Sequence, residues 1–383
     1  MKDVTHNYFA ARFFDGEKLL VNVSFTIKNG LINSLRANSL ASDTAEVLDG
    51  LVSPGFIDIQ VNGGGGDLFN STPSVNTLNT MATAHLQFGT TSMLPTVITD
   101  RLSVMEEAAE SIASVMAAQH SIIVGVHFEG PHLSLPKRGI HSAEYVRAIT
   151  DKELQVFSRT DLGKVVVTVA PETVAPDVIK ELSARGVLVF LGHSNTDAET
   201  ALKAIEAGAV GFTHLYNAMS PLTSREPGMV GAALSAQQAY CGIIVDHHHV
   251  HPLSVKLAYQ CKGAQRMILV TDAMAHVGSD MQQLPYMGTV IQREGSKLTL
   301  PDGTLAGSAL DMIGAVKNCH FDLQIPLVDS LRMATSTPAN LLNAQHRLGY
   351  LRVGQQANML LLDDALSITH CWVNGIKQHN NNM

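Results

Sequence analysis

Eight short apolar segments recur between residues 56 and 270, and stretches of helical periodicity separate most of them. The apolar segments lie at 56–62, 91–97, 122–128, 165–169, 187–191, 211–214, 241–245 and 267–270. The helical patterns lie at 75–87, 102–118, 175–184, 197–207 and 252–260. Strands this apolar belong to a parallel sheet covered by helices. Eight repeats of the alternation predict an α/β chain closed into a (β/α)8 barrel of the TIM type, where the chemistry sits at the C-terminal strand ends. Two further helices are expected at 309–321 and 326–342.

The chain ends read differently. Asp15-Gly16 and Asn29-Gly30 are hairpin signals between apolar runs, and the tail repeats the pattern at 358–362 and 368–373 before Asn374-Gly375. Neither end can bury a core alone. The economical arrangement pairs 1–53 with 349–383 in one small β-sandwich domain and leaves 54–348 to the barrel. The 383 residues are 45% apolar and 16% charged, enough for both. A net charge of −8 with no basic run argues against a nucleic-acid partner. The four cysteines are scattered, with no CxxC pair, and read as small buried hydrophobes in a reducing compartment. No signal core and no apolar run of about 20 residues is found. The expectation is therefore a cytoplasmic protein with no membrane partner.

Polar side chains capable of binding a metal stand just past most of the later strands. Glu129 follows the third in HFEGPH, His193 the fifth in LGHSNT and His214 the sixth in FTHLYNA; His247, His248 and His249 follow the seventh and Asp272 the eighth. One carboxylate and two imidazoles make a common shell for a catalytic divalent ion, which activates water and polarises a carbonyl. A separate carboxylate can then take and return the proton, and Asp272 is the natural candidate. A single histidine at a strand end is more often a satisfied polar group; the joint placement is what favours a metal centre. Adjacent residues point to different sides, so one of the three histidines at 247–249 is expected to face the site. His85, His120, His320 and His379 read as structural or surface residues. Gly63 to Gly66 lack phosphate-loop spacing and read as a tight turn. Arg225 follows the sixth strand by about ten residues. An acidic protein that takes an anionic substrate needs such a cation, with a surface ion pair the equal alternative.

Seven motifs in register carry a resemblance over nearly the whole chain: PGFIDIQVNGGGG, HFEGPHLSLPKRGIH, GHSNTDAE, GFTHLYNAMSPLTSREPG, IIVDHHHVHP, LVTDAM and LAGSALDM. Together they resemble the N-acetylglucosamine-6-phosphate deacetylases of the amidohydrolase superfamily. The resemblance implies hydrolysis of the acetamide of N-acetyl-D-glucosamine 6-phosphate to glucosamine 6-phosphate and acetate, in amino-sugar catabolism. It implies Glu129, His193 and His214 as ligands of one divalent metal per chain, zinc or else iron, cobalt or manganese. Asp272 would be the acid/base, and His141 would polarise the carbonyl and contact substrate. Asn217 and Ala218 would touch the sugar, Arg225 and His249 would hold the phosphate, and Leu305, Ala306 and Gly307 would close over it. A homodimer is also implied. Many metal-dependent hydrolases carry two histidines on the inner face of the first strand, where this chain has Gln60 and Asn62. Amides bind zinc poorly beside imidazole, so a second metal is expected to bind weakly or not at all. Two other functions remain open: that of another amidohydrolase acting on a cyclic amide or amidine, or that of a non-catalytic relative.

Overall fold

The computed structural model describes residues 5–118 and 121–378. His120, His379 and the Asn380–Asn382 run therefore lie outside the described residues. All eight apolar segments hold a strand of one parallel sheet: Phe56–Val61, Thr90–Ile98, Gly125–Glu129, Lys164–Val169, Leu188–Leu191, Gly211–Phe212, Tyr240–Ile243 and Met267–Leu269. They pair in chain order, each with its sequence neighbour. The first buries all six of its residues, as a strand enclosed on both faces must. The expected helices surround them at Val75–Leu86, Leu102–Ala117, Pro176–Ala184, Ala198–Glu206 and Pro252–Lys262. Ser74 and Asp197 cap the first and fourth of these by accepting the N–H of Thr77 and Thr200. The architecture is a (β/α)8 barrel.

Two barrel helices escaped the sequence reading. Asp151–Phe157 is short, and Thr150 and Glu153 fix its start as a reciprocal cap. Gly228–Ser235 is apolar up to Leu234 and buried up to Ala233, so it shows no amphipathic period. The expected helix at 326–342 is broken into Leu327–Ala334 and Ser336–Leu341. Pro338 removes a backbone donor there, and Thr335 leaves the helical region at φ −129, ψ −84. The expected helix at 309–321 runs as Met312–Lys317 and then widens to a π turn at Asn318–Asp322. An unforeseen three-stranded antiparallel sheet, Gln283–Tyr286, Thr289–Glu294 and Lys297–Thr299, follows the eighth strand.

Both ends of the chain enter one seven-stranded sheet built from residues between Thr5 and Pro54 and between Met359 and Lys377. Asn29 and Gly30 sit at φ +53 and +79, and Asn374 and Gly375 at φ +50 and +73, the left-handed pairs of tight hairpins. Tyr8, Phe13, Phe25, Met359 and Trp372 form its separate core.

The barrel closes between its first and eighth strands. Val61 bridges Ala273, Asp272 N–H donates to the Gln60 carbonyl at 2.9 Å, and Asn62 N–H donates to the Ala273 carbonyl at 2.9 Å. Asp58, fully buried, locks this seam: its Oδ2 accepts Thr271 Oγ1–H at 2.5 Å and its Oδ1 accepts the Gln60 N–H at 3.2 Å. Burial pushes the Asp58 carboxyl up to about 7, although hydrogen bonds from Thr271 and Gln60 pull it down. An acid raised in the folded state stabilises the fold below its unfolded pKa of about 4, and that contribution is lost as pH rises through about 7. Asp58→Asn, which stays neutral, should lose less stability than wild type between pH 5 and 8. Urea midpoints at the two pH values check this, and parallel losses would refute it.

Candidate metal and acid-base site

The strand ends open on a cavity of about 340 Å³. Glu129 ends the third strand, while His193, His214 and Asp272 stand just past the fifth, sixth and eighth. The last three sit at φ +48, +31 and +50, a region that non-glycine residues rarely occupy. Such strain persists where the surroundings over-determine it, and it concentrates at functional sites. Here the strand-end backbone leaves the sheet sharply enough to turn each side chain inward.

The geometry of Glu129, His193 and His214 fits a cation. Their donor atoms all lie within 4.8 Å of one another, and all three residues are buried. His193 Nδ1 lies 2.9 Å from the Lys137 carbonyl, which can only accept, so that nitrogen carries the ring proton. A neutral His193 therefore turns a lone pair on Nε2 toward Glu129 Oε1, 3.2 Å away. His214 Nε2 lies 3.0 Å from Glu129 Oε1 and 3.0 Å from His193 Nε2. Lone pairs converging this closely repel unless a positive charge sits among them, and a divalent metal supplies it. Burial pushes Glu129 toward the neutral acid, but the two imidazoles hold its carboxyl well below the usual carboxylate range. His214 moves the other way. Burial lowers it, and the Glu129 carboxylate outweighs burial and raises it.

Asp272 faces this set without joining it. Its Oδ1 accepts Asn62 Nδ2–H at 2.6 Å and Gln60 Nε2–H at 3.2 Å, and Gln60 Nε2 also lies 3.1 Å from Glu129 Oε1. The two amides thus spend their N–H groups on carboxylates. Burial first, then the charge of Glu129, pushes Asp272 up to about 6. That value suits a group that must both take and give a proton near neutrality.

His141 lies beside His193, ring centroids 4.4 Å apart. Its Nδ1 accepts the Thr99 N–H at 3.3 Å and lies 2.8 Å from the Thr99 hydroxyl, which can donate to it as well, an arrangement that puts the ring proton on Nε2. Burial and the neighbouring His193 push it down to about 3. The group is a neutral N–H donor across the working range.

Asn217, Ala218, His249, Leu305 and Gly307 also line the cavity. Ala306 does not; it is buried beneath with Met274 and Leu298. Arg225 is exposed and outside the cavity lining, within an exposed run at 221–227. Of the three adjacent histidines, His249 alone is in the lining. The other two turn outward, His247 to Asp322 at 2.9 Å and His248 to Ser296 at 2.9 Å. Gly63 to Gly66 form a tight two-strand turn, Gly63–Gly64 against Asp67–Leu68, and the His85 ring lies 2.8 Å from the Gly63 carbonyl. The sequence reading missed Lys137, Thr304 and Ile98 in the lining. It also missed His127 below the metal set, whose ring lies 2.7 Å from Thr168 Oγ1. Lys137 stands four residues before His141, in the run already singled out, and its charge was the available signal.

About one divalent ion per chain is expected by mass spectrometry of the native protein, with a second equivalent not retained on dialysis. Glu129→Gln should lose the first while keeping the fold; metal retained at wild-type stoichiometry would rule out this ligand set.

Comparison with known proteins agrees with this geometry. A model of the amidohydrolase family matches residues 51–380. The chain is 47% identical over 372 residues to N-acetylgalactosamine-6-phosphate deacetylase of Shewanella sp. (strain ANA-3), covering 94% of each chain. It is 34% identical over 385 residues to N-acetylglucosamine-6-phosphate deacetylase of Vibrio furnissii, covering 98% of this chain and 95% of that one. The crystal structure of N-acetylglucosamine-6-phosphate deacetylase from Pasteurella multocida superposes with a TM-score of 0.94 at 34% identity, covering 98% of this chain and 100% of the other. The chain belongs to the amidohydrolase family.

Proposed function

We propose that this chain hydrolyses the acetamide of an N-acetylhexosamine 6-phosphate, N-acetyl-D-glucosamine 6-phosphate on the sequence reading, to the amino sugar 6-phosphate and acetate. The observation that carries this is the Glu129–His193–His214 set beside Asp272 in one cavity, in a chain so similar to deacetylases of this class. A divalent ion held by Glu129, His193 and His214 would activate water and polarise the acetamide carbonyl. Zinc suits one carboxylate and two imidazoles, and iron, cobalt or manganese fit the same donors.

The remaining steps belong to this chain's own residues. His141 Nε2–H donates to the acetamide oxygen and stabilises the charge that grows there as the carbonyl carbon becomes tetrahedral. Asp272 accepts a proton from the attacking water and returns it to the nitrogen as the C–N bond breaks. Asn62 and Gln60 hold Asp272 by one oxygen, which leaves Oδ2 free for that transfer. Asn217, Ala218 and Leu305 line the cavity where the sugar would lie. Holding the phosphate remotely orients the acetamide and favours phosphorylated over free sugar. The exposed position of Arg225 suits a phosphate clamp completed across a homodimer. Cytoplasmic placement goes with a phosphorylated substrate. The full metal and acid/base set speaks against a non-catalytic relative.

A second reading concerns the sugar's C4 epimer: the 47% relative is a galactosamine-type deacetylase, and identity is lower to the glucosamine-type relatives reported above. Acetate release from both epimeric 6-phosphates tests the two together. The higher kcat/KM assigns the epimer, and no release from either refutes the proposal. Asp272→Asn should reduce kcat by roughly 10²–10⁴-fold at unchanged metal content, and retained turnover would remove it from the acid/base role.

A further inference from the structure

Asp246 follows the seventh barrel strand and is 5% exposed. Its Oδ1 accepts the backbone N–H of His248 at 2.9 Å and of His249 at 2.8 Å. Its Oδ2 lies 2.6 Å from His249 Nδ1. One buried carboxylate therefore shapes the turn and grips one of its three histidines. Burial works to raise the Asp246 carboxyl, but the His249 ring and the two backbone N–H groups overcome this and bring it down to about 2. It is an ion throughout the working range, and an ionised carboxylate only accepts. His249 must therefore carry a proton on Nδ1, and the Nε2 edge is the one left to meet a ligand.

The place of that edge matters. The cation-capable residues lining the cavity are Lys137, His141, His193, His214 and His249. His193 and His214 belong to the metal set, and the His141 ring meets His193 edge-on. Lys137 and His249 are the cation-capable lining residues left for an anionic group.

We propose that Asp246 is a positioning residue, which holds the His249 ring against the cavity, protonated at Nδ1, so that its Nε2 edge receives the anionic end of a sugar phosphate. This rests on the phosphosugar reading above. The aspartate never touches substrate; it acts through His249 alone. The orienting carboxylate of a catalytic triad works by the same physical rule, fixing tautomer and ring angle through Nδ1. Without it, the His249 ring loses the acceptor that fixes its tautomer and angle.

A double-mutant cycle on the metal-loaded enzyme tests the assignment. In Asp246→Asn the amide oxygen can still accept the two backbone N–H groups, so the turn is kept while the acceptor facing Nδ1 is lost. KM for the 6-phosphosugar should rise about tenfold, with kcat changed far less. In the His249→Gln background the same substitution should change KM by less than about twofold. Equal effects in both backgrounds, or none in the wild-type background, would overturn the proposal. Nitrogen-15 NMR of the wild-type protein, with the ring assigned through His249→Gln, reads the tautomer without any Asp246 variant. A His249 ring protonated at Nδ1 is expected, and a neutral ring protonated only at Nε2 would overturn the proposal. If no 6-phosphosugar releases acetate, the functional reading fails, and the NMR result still reports separately on the Asp246–His249 pair.

Discussion

The seam where the first strand meets the eighth holds both the fold and the site. Asp272 N–H donates to the Gln60 carbonyl, and Asn62 N–H donates to the Ala273 carbonyl. The same residues meet again through their side chains, where both amides donate to Asp272 Oδ1. Barrel closure therefore sets the position of the carboxylate assigned to proton transfer. Gln60 reaches past it to Glu129, so the seam also touches the metal set. Asp58 lies below and fastens Thr271, one residue before Asp272. Asp58, Gln60 and Asn62, alternate residues along and just past one short strand, thus serve both closure and the aim of Asp272.

Those amides explain how a site with one metal set is complete. Two histidines in their place would add two lone pairs beside Asp272. Two amides add N–H donors, which satisfy the carboxylates instead of inviting a second cation. Asn62 Oδ1 is buried without a protein partner, so the side chain is committed to the carboxylate by its nitrogen alone. The imidazoles around the site are divided by their outer contacts. A carbonyl acceptor protonates His193 at Nδ1 and frees Nε2 for a metal. A backbone N–H makes His141 Nδ1 an acceptor and turns Nε2–H inward as a donor. Identical side chains acquire opposite chemistry from one neighbouring backbone group.

The barrel was legible because its strands are short, largely apolar runs and most of its helices are amphipathic. Where that logic failed, the cause was local. The helix Gly228–Ser235 is buried from Gly228 to Ala233 and has no polar face to reveal it. The sheet spanning Gln283 to Thr299 alternates as QLPY, TVIQRE and KLT around Gly288 and Gly295, a period-two signal that was present but not used. Its Leu284, Tyr286, Ile291 and Leu298 pack with Ala306 and support the 304–307 segment at the cavity.

Sequence by itself determined which residue types stand at each strand end, because strand and helix periods fix where each element stops. It thereby placed Glu129, His193, His214 and Asp272 on one rim of a barrel. Only the tertiary structure decided what those residues are to one another. That three donor atoms converge within 4.8 Å, that His249 turns inward while His247 and His248 turn out, and that Arg225 stands outside the cavity all depend on contacts between distant segments. Tautomers and shifted pKa values belong to the same class. They are set by burial and by single hydrogen bonds from residues tens of positions away, which no local pattern in the chain encodes.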